Sequence, residues 1–354
     1  MPTDHTYTLS NNIEIFFTDS GPPPGSNDYT TLVVLHGTCF NGYGLATLHD
    51  FAHPLNLRTV VWNRRNYPGS TRYTESELED LNQGRKIFMD RIGGQVGEFL
   101  ERFIENENIP KATGDRKAGG IAIMGWSMGT ASALAIFSDS TLVSPESYSK
   151  LEPYVKDCVL YEPPHVSLGY SVPPGEKPYI PWQDPDQKTP EDIARNFGLY
   201  VSSYFDHNDA NSADLRDMDT QSKMGSDPTI TKWTAEELEK YINPELFVTV
   251  ELPMFSEAMQ STLKELSDRA FYDERLVKTH FPKLKLTLIV ATRTNWLCLW
   301  APMKTQKDHD THVAGGGAAR PLKTYKIEGG NHFLHSEIPK TFLEKVHEGI
   351  TRDD

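Results

Sequence analysis

The feature that most narrows the fold is Gly125-Trp126-Ser127-Met128-Gly129, set directly after the apolar run Ile121-Ala122-Ile123-Met124 and directly before an apolar helical stretch, 131–136. A serine hydroxyl is exposed for attack on a tight strand-to-helix turn, and glycines two positions to either side leave room for its strained backbone. The helix that follows adds free N–H groups and a favourable dipole. Gly-x-Ser-x-Gly also arises in loops by chance, so the flanking strand and helix patterns give it its weight. The expectation is a nucleophile, Ser127, on the sharp turn of an α/β sheet.

The rest of the chain keeps that rhythm. Short apolar, β-branched runs at 13–18, 31–35, 58–62, 121–124 and 155–161 alternate with helical patterns, among them an amphipathic stretch at 78–107. Strands alternating with helices imply an α/β sheet. From 163 to 281 the character changes to Pro, Asp, Ser and aromatic residues without a strong strand, and the strand rhythm returns at 284–291 and 323–327 before a closing helix at 338–350. The simplest reading is one interrupted sheet: a core of 1–162 and 282–354, with 163–281 a helical insertion acting as a lid. Within the insertion, aromatic and thioether side chains such as Trp182, Phe197, Tyr200, Phe247 and Met254 are expected to form mostly helix core. A minority should line an apolar pocket for a medium or bulky hydrophobic compound.

Composition excludes several alternatives. With 38% hydrophobic and 24% charged residues and no apolar run near the ~20 residues that span a bilayer, this is not a membrane protein. The formal charge of -14 disfavours nucleic acid and anionic membrane surfaces as partners, leaving a small-molecule substrate. Three scattered cysteines (Cys39, Cys158, Cys298) suit reduced thiols. The N-terminus shows no basic region followed by an apolar stretch, and cytoplasmic location is the default expectation. Oligomeric state is not legible.

Two further motifs join the serine. Glu328-Gly329-Gly330-Asn331-His332-Phe333 follows a late strand, where small residues can free a histidine to act as general base; His332 is the candidate and His335 the backup. His36-Gly37-Thr38-Cys39-Phe40 ends the buried run 31–35 and resembles the His-Gly oxyanion loop of the α/β-hydrolase superfamily. Two backbone N–H groups must converge on a developing oxyanion: Met128, after the nucleophile, supplies one, and Thr38, or alternatively Cys39, the other. The His36 side chain is read as structural. His309 and His312 in Asp308-His309-Asp310-Thr311-His312 lack a third ligand, so that segment reads as a surface loop and no metal or other cofactor is expected.

Taken together, these motifs resemble a lid-bearing member of the α/β-hydrolase superfamily over nearly the whole chain, and Ser before His is that superfamily's order. One departure stands out. Most members carry the acid after the strand that follows the lid, in a sequence like Gly-x-x-Asp, but here that strand ends Val290-Ala291-Thr292-Arg293-Thr294-Asn295-Trp296. The preceding strand instead ends Leu160-Tyr161-Glu162, so Glu162 is the preferred acid, with Asp308 or Asp310 as alternatives. That placement is similar to the zearalenone-type lactonases, which degrade fungal polyketides, and it implies ester or lactone substrates from secondary metabolism. A serine rather than an aspartate nucleophile argues for an acyl-enzyme and against alkyl-enzyme chemistry. The competing expectation is a fold member that performs a non-hydrolytic step, such as acyl transfer or condensation, or only binds a ligand.

Overall fold

A computed structural model describes residues 2–353. Eight strands form one sheet in the order β1-β2-β4-β3-β5-β6-β7-β8: Thr3–Leu9, Ile13–Asp19, Thr30–Leu35, Leu57–Trp62, Ile121–Trp126, Val155–Tyr161, Lys285–Ala291 and Leu322–Ile327, numbered along the chain. β1 and β2 run antiparallel and the other six are parallel.

The parallel strands β3 to β7 are buried at every position, covered on both faces, which explains their largely apolar sequences, whereas the edge strand β8 is only partly buried. Alternate residues serve two cores. Val33, Leu35, Ile123, Leu160 and Leu288 face one, with the helices Lys86–Glu107, Gly129–Ser138 and Glu257–Tyr272; Leu32, Val34, Met124, Val159 and Ile289 face the other, with Trp296–Ala314 and Pro339–Thr351. Gly129–Ser138 is buried at all ten positions, which accounts for a helix apolar all round. Each fully buried Leu or Ile contributes roughly 1.5–3 kcal/mol, so these alternating rows carry much of the fold's stability.

Two expectations need correction. The stretch 78–107 is two helices, Glu75–Asn82 and Lys86–Glu107, because Gly84 between them takes a left-handed φ of 66°. A side chain there would overlap the Ala258 backbone, and Thr262 donates to the Gly84 carbonyl at 2.6 Å. The segment 308–312 is not a loop but the last turns of Trp296–Ala314. Its low hydropathy hid the helix, whose polar face is held by i,i+4 contacts from Lys304 to Asp308 and from Gln306 to Asp310.

Between β6 and β7 the described residues add helices and turns but no sheet strand. The helix Pro190–Val201 starts at a Thr189–Asp192 capping box with Pro190 in its first turn. It buries Phe197 against Phe247, ring centroids 4.7 Å apart, while Glu257–Tyr272 packs instead against Gly129–Ser138 with Met259, Leu263 and Leu266.

Candidate active site

The register of the parallel strands brings the singled-out segments to one edge. Leu35 lies beside Gly125, Trp126 beside Tyr161 and Ala291 beside Ile327, so the turns that follow β3, β5, β6, β7 and β8 emerge together at the carboxyl end of the sheet. That edge is where α/β sheets build their sites.

Ser127 sits on the turn after β5 with φ 54°, a conformation costly for any residue but glycine. The turn is fixed by the Ser127 N–H donating to the Tyr161 carbonyl at 2.9 Å and by the Thr130 N–H donating to the Ser127 carbonyl at 3.0 Å. Its flanking glycines are there for space. A Cβ at Gly125 would overlap the Gly129 carbonyl, and one at Gly129 would overlap the carbonyls of Leu35 and His36. Met128 caps the helix Gly129–Ser138, which puts the helix's free N–H groups beside the serine.

Glu162 follows β6, wholly buried and also left-handed at φ 53°. Its Oε2 accepts from His332 Nδ1 at 3.0 Å and from the Thr294 hydroxyl, and its Oε1 from the Ala291 N–H. Burial pushes the Glu162 carboxyl up, and the bonds from His332, Thr294 and Ala291 pull against that shift. Asp308 and Asp310 are bonded elsewhere, to Lys304 and Gln306. The Cys298 thiol lies within 4.8 Å of both Glu162 and His332; burial and then Glu162 hold it well above its ordinary range, so it stays protonated.

The His332 loop is held from several sides. Its carbonyl accepts from Trp126 Nε1 at 3.2 Å and from the Tyr161 hydroxyl at 3.1 Å. Asn331 donates to the Ser202 carbonyl at 2.6 Å and to the Thr229 hydroxyl at 2.8 Å, and accepts from the Phe333 N–H at 2.9 Å. His335 is buried, pairs with the Tyr161 hydroxyl at 3.1 Å and is held well below its ordinary pKa by burial and then by His332. Among the described residues nothing hydrogen-bonds the Ser127 hydroxyl; such bonds are often long before substrate arrives and tighten in the complex.

The 36–41 loop lies against Ser127, since a Cβ on Gly37 would stand 2.9 Å from the Ser127 Cβ. Thr38 and Cys39 are buried there, Cys39 with φ 73°. His36 accepts the Arg64 N–H at 3.0 Å, and burial followed by Arg64 keeps its ring neutral, which fits a structural part. Sequence reasoning missed Arg64, Glu251, Thr294 and Tyr161. Thr294 alone left a signal, standing where the usual acid was absent.

Sheet order, crossover insertion and sharp serine turn together define the α/β-hydrolase fold. No family model and no curated protein sequence matches the chain. Among solved structures it is similar to an esterase from Exiguobacterium antarcticum, at 12% identity and TM-score 0.54 over 99% of this chain and 100% of that one. It is also similar to epoxide hydrolase A from Mycobacterium thermoresistibile, at 14% identity and TM-score 0.51, covering 100% and 99% of the two chains. A haloalkane dehalogenase from Bradyrhizobium elkanii matches at 13% identity and TM-score 0.52, covering 99% and 96%.

Proposed function

We propose that the protein is a serine hydrolase that cleaves an ester, lactone or related acyl bond of a hydrophobic small molecule. The observation that carries this reading is the 3.0 Å bond from His332 Nδ1 to the buried Glu162 carboxylate, on the turn beside the strained Ser127. That bond fixes the histidine tautomer so that Nε2 is the basic nitrogen. His332 takes the Ser127 proton as the hydroxyl attacks the carbonyl, while the N–H groups of Met128 and of Thr38 or Cys39 receive the oxyanion. His332 then protonates the leaving alcohol, and a water activated by the same ring releases the acid from the acyl-enzyme.

The insertion 163–281 acts as the lid of this site, with Phe197 and Phe247 packed on each other inside it as helix core. No step calls for a metal or other cofactor. Fluorophosphonate labelling at Ser127, combined with product analysis on aryl esters and macrolactones, tests the reading. A chain that labels and turns over these substrates supports it; one that does neither refutes it.

A further inference from the structure

The loop 36–41 does not hold its shape with core residues alone. At its near end the Thr38 hydroxyl donates to Glu251 Oε2 at 3.1 Å, and Arg64 donates to that same oxygen at 2.6 Å and to the Gly37 carbonyl at 2.9 Å. At its far end the Asn41 N–H donates to the Tyr241 carbonyl at 3.0 Å, its side-chain amide donates to the Lys240 carbonyl at 2.8 Å, and Phe40 pairs with Ile242 as an isolated bridge. Tyr241, Ile242 and Glu251 all belong to the insertion.

Between these stitches sits Cys39 with φ 73°. A backbone held there persists only where its surroundings over-determine it. Glu251 and Arg64 are both buried, at 3% and 6% exposure, so the pair forfeits hydration that a surface pair would keep. Glu251 also closes a π-helical turn, Phe247–Glu251, an irregularity that recurs at functional sites. The arrangement spends a buried charge on one loop beside the nucleophile.

Resting on the serine-hydrolase reading, we propose that the insertion segment 240–251 holds the loop 36–41 in the shape that presents its backbone N–H groups to the oxyanion, with Glu251 as the positioning residue. The oxyanion hole is then complete only while the insertion is seated on the core, which couples lid seating to acylation and spares the active site from futile chemistry when open. Glu251 touches no reacting atom; it acts through Thr38, Gly37 and Arg64.

The test compares Glu251→Gln and Thr38→Val with the full-length wild type on an aryl ester. It measures kcat, KM, the fluorophosphonate acylation rate, affinity for an aryl boronic acid and Tm. Loss of one whole oxyanion donor lowers kcat by about 10²–10³, so a loosened loop should cost Glu251→Gln about ten- to a hundredfold, with acylation and boronate affinity falling alongside and KM nearly constant. Thr38→Val keeps the backbone N–H and removes one bond to the Glu251 carboxylate; it should show the same pattern at about three- to tenfold with Tm lowered by no more than several degrees, and it decides the matter if Glu251→Gln does not fold. Folded variants with wild-type kcat and boronate affinity, or a Thr38→Val that lowers only Tm, overturn the proposal while leaving the hydrolase reading intact. A wild type that neither labels nor turns over any ester refutes the hydrolase reading first and the positioning role with it.

Discussion

The Glu162 carboxylate and the His332 ring stand 3.0 Å apart although 170 positions separate them in sequence. What joins them is the register β6-β7-β8: Glu162 leaves the edge one residue after Tyr161, and the His332 loop leaves it after Ile327, two strands away. β7 stands between them; its last residue contributes the Ala291 N–H and the turn after it the Thr294 hydroxyl, both donated to Glu162. The strand that usually supplies an acid here supplies donors to one.

Glu162→Gln removes the charge while keeping the shape, so it should lower kcat by about 10³–10⁴ with little change in the far-UV circular dichroism spectrum. Asp308→Asn, whose parent bonds Lys304 on its own helix, should leave kcat within about twofold. Steady-state kinetics of the two variants side by side checks this. Equal losses in both would sink the assignment of the acid.

Ser127→Ala should abolish fluorophosphonate labelling and reduce kcat by about a millionfold if the whole reaction runs through the serine. Intact-mass spectrometry of the labelled protein reads the first effect and ester hydrolysis the second. A variant that keeps more than a tenth of the rate would remove Ser127 from the mechanism.

Much of the fold was legible because parallel strands buried on both faces have few options: runs such as 31–35 and 155–161 fall within one residue of β3 and β6. The meeting of Ser127, Glu162 and His332 at one edge was legible for a related reason, since each lies on the turn that follows a strand and those turns share one edge. Arg64, Glu251 and Tyr161 were not. Their places depend on how the insertion folds back over the core and on which way a side chain leaves the sheet, neither of which a local pattern encodes. The helix containing Asp308 to His312 was hidden because its stabilising contacts lie one turn apart among polar residues.

His165 is buried with its Nδ1 unpartnered, its ring stacked on Trp296 at 5.0 Å, and burial pulls its pKa down to about 3. Below the unfolded value of about 6.5 the unfolded chain gains a proton that the native ring refuses, so the native state loses stability as pH falls from there toward 3. His165→Phe keeps a ring against Trp296 and removes the proton uptake. The loss of unfolding free energy between pH 7 and pH 4 should then shrink by about 3 kcal/mol relative to wild type. Urea denaturation at both pH values measures it, and parallel pH dependences in the two proteins would rule the effect out.

Asn331 adjoins His332 and spends its side chain on the insertion rather than on substrate. Its amide nitrogen faces two acceptors, the Ser202 carbonyl and the Thr229 hydroxyl, and its oxygen faces the Phe333 N–H, so the orientation of the amide is set by its partners. Asn331→Asp is the sharper variant because it is nearly isosteric yet turns a donor into an acceptor opposite a buried carbonyl. Losing two bonds and gaining that repulsion should cost about 2–4 kcal/mol of stability, which urea denaturation reads directly. Because the loop also carries His332, and a 1 Å misplacement can cost about a hundredfold in rate, kcat should fall at least about tenfold at temperatures where the variant is still folded. Asn331→Ala should destabilise less than Asn331→Asp, since it leaves groups unpaired without placing a charge against them. If the aspartate proves the milder change, the amide does not hold this loop to the insertion in the way the bond pattern implies.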